Sequence, residues 1–172
     1  PDYILIGHVT VDLQPEGRIL GGTVSYIAPM APAFGMRSAV LTSAAPDEPL
    51  LRPLVDETEL MVLMSPQSST FENVYAPGGR RLQYLHHRAG DLRLEHIPSG
   101  WMQSPLVHLA PLTDEVEPEI VHHFPDATVL MTPQGWMRRW DETGRVSFKP
   151  WFDEAVLRAV DIVVFSQADI AE

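Results

Sequence analysis

Apolar residues gather in short runs, most of them unbroken, at residues 3–6, 39–41, 106–109, 129–131 and 162–165. Runs of this length without alternation predict strands covered on both faces. Between them the apolar spacing changes to i, i+3, i+4, i+7, the period of a helix with one buried face. Val24, Ile27, Ala28, Ala31 and Phe34 make one such stripe, and Gly35 is placed to end it. Pro29 and Pro32 fall inside that stripe. A proline within a helix removes a hydrogen bond at a cost of about 3 kcal/mol, so a kink or a late start is expected there. Val116, Ile120, Val121 and Phe124 make a second stripe, with Thr113 as its expected cap and Asp114 and Glu115 in its first turn. Phe152, Val156, Ala159 and Val160 make a third. Strand and helix in alternation predict an α/β fold whose mainly parallel sheet is built of βαβ units and flanked by helices.

One region keeps a period of two. Residues 70–75 and 80–88 are rich in β-formers and flank Ala76-Pro77-Gly78-Gly79, a turn of the length that closes a hairpin. Phe71 and Tyr75 on one arm and Leu82, Tyr84 and His86 on the other alternate with their neighbours, which predicts an antiparallel ribbon outside the main sheet with one face covered. Such a ribbon serves as a flap over a site or as an oligomer contact. The 16 prolines fall mostly at segment edges and mark connections, and no interdomain linker stands out.

The 172 residues make about one domain, with 45% hydrophobic and 20% charged residues, a composition that excludes wholesale disorder. The formal charge of −11 has the wrong sign for attraction to a phosphate backbone, so nucleic acid is not an expected partner. The absence of cysteine removes disulfides and thiol chemistry and fits a reducing compartment. No apolar run approaches the roughly 18 residues of a membrane span, and the N-terminus lacks signal-peptide features. A cytoplasmic protein without membrane attachment is expected.

The candidate chemistry begins at Gly7-His8-Val9-Thr10-Val11-Asp12 and continues at Gly21-Gly22-Thr23-Val24-Ser25-Tyr26. A strand delivers the Asp12 carboxylate, which can accept hydrogen bonds from two vicinal hydroxyls, and a glycine pair lets a ligand come close to the backbone. The plainer reading is that Asp12 ends a strand and the glycines make a turn. The pairs His86-His87 and His122-His123 lack metal-ligand spacing, and the latter suits a helix end. Trp101, Trp136, Trp140 and Trp151 are expected in packing roles, and Arg138, Arg139, Asp141 and Glu142 before Gly144 read as a solvated turn. Ser166-x-x-Asp169 has the form of a capping box.

The order of strand, Asp12, short β excursion, Gly21-Gly22, helix, Phe34-Gly35 and the strand leading to Ala45-Pro46-Asp47 resembles the N-terminal half of the ribokinase-like (PfkB) carbohydrate kinase family. Downstream, residues 70–88 resemble that family's lid, residues 129–141 its central strand and following loop, and residues 160–166 the strand before its Asn-x-x-Glu motif. The resemblance spans essentially the whole chain. It implies lid segments near residues 13–20 and 69–88, and a sugar or polyol substrate held by Asp12, Gly21, Gly22 and Tyr26. It implies ATP as phosphoryl donor, with Ser166 on the phosphate side and Asp169 serving Mg²⁺, and a homodimer formed through the lid.

Three departures accompany the resemblance. Ser166 and Asp169 stand for Asn and Glu, Tyr26 stands where many relatives have Asn, and the Gly-Ala-Gly-Asp segment that carries the family's catalytic base is not in the sequence. The chain is therefore expected to be the N-terminal part of a longer enzyme, inactive alone; the alternative is a non-catalytic sugar-binding module. A dinucleotide oxidoreductase is disfavoured because no Gly-x-Gly-x-x-Gly follows the first strand.

Overall fold

The structure, a computed structural model, describes residues 1–78 and 81–170. In chain order the elements are β1 (Tyr3–Ile6), β2 (Thr10–Gln14), β3 (Gly17–Gly21), α1 (Thr23–Ile27), β4 (Ser38–Ala44), α2 (Arg52–Val55), β5 (Glu59–Met64), β6 (Ser69–Tyr75), β7 (Arg81–His87), β8 (Leu106–Leu109), β9 (Thr128–Met131), β10 (Arg138–Trp140), β11 (Val146–Phe148), α3 (Glu154–Arg158) and β12 (Ile162–Val163), with short 3-10 turns between several of them. Six strands form one parallel sheet in the order β12-β9-β8-β1-β4-β5.

The unbroken apolar runs are explained by two cores. On β1, Ile4 and Ile6 enter one core with Leu41, Val107, Leu109 and Trp136, while Tyr3 and Leu5 enter the other with Val24, Val40 and Leu54. Ile4, Leu5 and Ile6 have no exposed surface, so truncating any of them to alanine would cost about 2–5 kcal/mol. This centre is the rigid platform on which the site is mounted.

The helical stripes fare less evenly. The first is a true α-helix only over α1 and then tightens to a 3-10 helix over Ala28–Phe34, where the two prolines remove donors; Gly35 ends it, and Phe34 stays outside the core at 72% exposure. The second expected helix does not form at Thr113: Asp114 takes a left-handed φ of 59°, and only a short 3-10 helix over Pro118–His123 follows. Ile120, Val121 and Phe124 are nevertheless buried. The third shrinks to α3, capped by Asp153, whose Oδ1 accepts from the Val156 amide at 3.0 Å, and Phe152 lies outside it, exposed. At the end of the chain the expected strand over 162–165 pairs only across Ile162–Val163, and Ile162, Val163, Val164 and Phe165 are all exposed. Coverage on both faces does not extend to that edge among the described residues.

The expected ribbon is half of a larger unit. A second sheet runs β3-β2-β6-β7, antiparallel within each pair and parallel where β2 meets β6. The last residue of the expected turn, Gly79, and Arg80 lie outside the described residues.

The expected solvated turn forms at Asp141 and Glu142, which are exposed, but it is the tip of a hairpin, β10–β11, whose first residue Arg138 is not solvated as expected, and the hairpin is fastened to the small sheet. The Leu85 amide donates to the Gly144 carbonyl at 2.8 Å, and Tyr84 bridges to Arg145. Phe71, Leu85 and Leu112, with Trp140 and Val146 against them, make a third core under this junction. The tryptophans pack as expected: Trp101 and Trp136 are buried, and Trp136 stacks on Trp151 with centroids 4.7 Å apart. Among the described residues no helix is long and apolar enough to cross a membrane.

Candidate functional site

The residues of interest collect beyond the carboxyl ends of β1, β8, β9 and β12, the side of a parallel sheet where ligands are generally held. β2 leaves this edge and carries Asp12. Register places Asp12, Ile19, Phe71 and Leu85 on one face of the small sheet. Thr10 Oγ1 donates to Asp12 Oδ1 at 3.0 Å. Asp12 is half-buried, and its desolvation raises the carboxyl's pKa, against the opposing pull of the Thr10 hydroxyl and the positive charge of Arg138.

The glycine pair is required by close approach. A Cβ on Gly21 would lie 2.5 Å from Asp12 Oδ2, and one on Gly22, whose φ is 96°, would lie 2.5 Å from the His8 carbonyl oxygen. The pair therefore makes the notch that seats the carboxylate beside β1. Ser25 Oγ donates to the Gly21 carbonyl at 2.7 Å and ties α1 to the notch. Tyr26 does not join this group. Its ring is 63% exposed, and its hydroxyl donates to the Leu20 carbonyl at 3.4 Å.

Ser166 and Asp169 form the capping box. The Ser166 amide and hydroxyl donate to Asp169 Oδ2 at 2.7 and 2.9 Å, and Gln134 donates to the other oxygen. Burial alone would raise the Asp169 carboxyl, but these donors, with Arg138 nearby, hold it below the usual carboxylate range. A carboxylate committed to three donors is poorly placed to enter a cation's inner sphere. Among the described residues no group of three or more His, Cys, Asp or Glu side chains could hold a metal. Among the described residues Asp169 is therefore suited to a cation only through water.

Sequence reasoning missed Arg138. It sits half-buried at the start of β10, donates from Nη1 to the Leu112 carbonyl at 3.2 Å, and lies with Cζ 5.4 Å from the centroid of the Phe71 ring. Burial pulls its pKa down to about 10 and Arg81 adds to this, while Asp169, Glu115 and Asp12 oppose it. It stays protonated at neutral pH, and its charge reaches both candidate carboxylates. The available signal was strand alternation: in an Arg-Arg pair on a hairpin, one residue must turn inward.

Sequence reasoning also missed a buried polar cluster behind the notch. Glu115, expected in a helical first turn, is fully buried and accepts from the amides of His8, Leu112 and Thr113 at 2.6–3.0 Å and from the Thr113 hydroxyl at 3.1 Å. Desolvation works against its charge, but neighbouring His8 and these amides prevail and keep its pKa low.

A cavity of about 470 Å³ lined by Leu13, Arg18, Glu48, Ser68, Thr70 and His86 opens among residues of the opposite face of the small sheet. Its charges are paired with one another, Arg18 with Glu48 at 2.7 Å and Glu48 with Ser68 at 2.9 Å. Asp12 takes no part in it.

Comparison with solved structures decides the architecture. A pyrophosphate-dependent kinase in the ribokinase family, complexed with a pyrophosphate analog and myo-inositol, matches with a TM-score of 0.76 and 21% identity over 94% of this chain and 60% of that one. The fold is ribokinase-like. A fructokinase from Xylella fastidiosa with bound ATP shares the ribokinase-like fold at a TM-score of 0.64 and 14% identity, over 94% of this chain and 56% of that chain. The nucleoside kinase of Methanocaldococcus jannaschii does so at 0.65 and 14%, over 99% and 62%. The chain thus spans about 60% of the length of these ribokinase-like structures. No protein-family model and no curated protein matches it.

Proposed function

We propose that this chain is the acceptor-binding portion of a kinase that transfers a phosphoryl group to a hydroxyl of a sugar or polyol. The observation that carries the reading is Asp12, seated in its glycine notch, with the inward-turned Arg138 against Phe71 on the same face of the small sheet. A desolvated carboxylate is suited to a neutral, hydroxyl-rich guest, because hydroxyl donors restore the hydrogen bonds that burial removed. A half-buried guanidinium beside it is suited to an anion carrying planar or tetrahedral oxygens. Transfer of a phosphoryl group between such partners depends on positioning and charge stabilisation.

In this reading Asp12 orients the acceptor, Gly21 and Gly22 admit it to the backbone, and the small sheet with its β10–β11 hairpin is the lid. Arg138 attracts the transferred phosphate. ATP, with its Mg²⁺, is the donor we favour, and pyrophosphate is the competing donor because one structural neighbour is a pyrophosphate-dependent kinase. The catalytic base is supplied from outside these residues, since no Gly-Ala-Gly-Asp segment occurs among them.

The test is ³¹P NMR of the intact gene product with a panel of sugars, inositols and nucleosides, and ATP or pyrophosphate with magnesium. A phosphate monoester should appear with one acceptor, and Asp12→Ala should lower kcat/KM for it about 10³-fold, the loss of two hydrogen bonds to a charged group. Binding of a sugar with no product from either donor would favour the non-catalytic module. A fully active Asp12→Ala protein would overturn the proposal.

A further inference from the structure

The lid strands leave and rejoin the main body at four places: β2 begins at Thr10, β3 ends at Gly21, β6 begins at Ser69, and β7 ends at His87, followed by Arg88, Ala89 and Gly90. One fully buried residue, His8, stands just before the first of these, and its ring reaches the roots of β6 and β7. His8 lies two residues before β2, and its backbone amide donates to Glu115 Oε1 at 3.0 Å. Its ring Nε2 is 2.8 Å from the Gly90 carbonyl, which can only accept, so this nitrogen carries a proton. Its Nδ1 lies 2.8 Å from Ser69 Oγ and 3.2 Å from Thr113 Oγ1. Ser69 Oγ in turn accepts from the Ala89 amide at 3.0 Å, closing a ring of bonds between the two arms of the ribbon.

The other end of this cluster reaches the proposed substrate groups. The His8 carbonyl is the wall that a side chain at position 22 would strike. Glu115 fixes the Leu112 and Thr113 amides, and the Leu112 carbonyl accepts from Arg138. We infer that His8 is a positioning residue: it pins the roots of the lid to the end of β1, so that the lid carries Asp12 and Arg138 to the sheet edge in one fixed register. This rests on the proposed phosphoryl-transfer reading for its purpose, while the mechanical claim stands on the hydrogen bonds alone.

The experiment compares wild type, Ser69→Ala and His8→Gln by amide hydrogen exchange, with steady-state kinetics alongside. Ser69→Ala removes the shared hydroxyl with little change in volume and guards against loss of folding in the His8 variant. Amides of β6 and β7 should exchange about 10-fold faster in both variants while β1 and β8 keep wild-type protection. Acceptor KM should rise with a smaller change in kcat. Unchanged lid protection, or equal acceleration in lid and central strands, would overturn the inference. Should wild type turn over no acceptor, the phosphoryl-transfer reading fails, and the exchange pattern still decides the role of His8.

Discussion

The two ends of the candidate site are built on opposite plans. Around Asp12 the backbone is forced: glycines at 21 and 22 are the only residues that avoid contacts of 2.5 Å, and the carboxylate keeps a single side-chain donor, Thr10. Around Ser166 the chain is exposed, and Asp169 is satisfied by its own turn and by Gln134. A group held in place yet left short of hydrogen bonds is prepared for a guest, whereas a group that has satisfied itself is prepared for nothing but its fold. In the proposed reading, recognition belongs to the Asp12 end and the Ser166 end has the lesser part.

The most damaging blow to this contrast is expected at the notch. Gly22→Ala imposes a side chain at a φ of 96° and against the His8 carbonyl, so it should cost about 3 kcal/mol and lower Tm by roughly 10 °C. Ser166→Ala, at the exposed end, should cost about 1 kcal/mol or less. Equal losses in thermal unfolding would show that the ends are not built differently.

Next comes Arg138→Met, which keeps bulk near Phe71 but removes charge. It should raise the KM for the phosphoryl donor about 10²-fold while leaving acceptor affinity within a few-fold. A change confined to the acceptor would move Arg138 to the other side of the reaction.

The smallest effect has the most telling sign. The Asp12 carboxyl has a raised pKa, so the native state holds a proton that the unfolded chain releases, and stability falls as pH rises through that window. Asp12→Asn cannot ionise and should raise Tm at pH 7 by about 1–3 °C. Asp169 is lowered, so its contribution is present above the ordinary carboxylate range and is lost as pH falls. Asp169→Asn should therefore lower Tm at pH 7, by about 1–3 °C after allowing for solvent screening. Shifts of the same sign in calorimetry would erase the distinction. Acceptor affinity should also weaken as pH falls through the raised Asp12 value, a dependence that Asp12→Asn should flatten.

The central sheet was legible because burial on both faces writes itself into the sequence as near-continuous apolar runs; residues 3–6 and 106–109 match β1 and β8 residue for residue. The ribbon was legible through its period of two, but its parallel seam with β2 was not, since register between distant segments leaves no local mark. Thr113, Asp114 and Glu115 misled because a carboxylate near a chain reversal looks the same whether it caps a helix or gathers amides from three segments. Arg138 misled because charge in a sequence suggests water, and its inward turn depends on Phe71 and Leu112, which are remote along the chain. Asp12 and the glycines stood out as a local pattern before the resemblance gave them a role, and their shared notch supplies the physical reason for that spacing.

The small sheet has two chemically distinct sides separated by one backbone thickness, with Asp12 facing Arg138 and Leu13 facing the paired charges of the 470 Å³ cavity. Strand geometry makes that separation a matter of parity. An in-frame gain or loss of one codon between His8 and Asp12 would exchange the two sides wholesale, burying the acid among the wrong neighbours. Natural length variation in this stretch should therefore come in steps of two, or not at all.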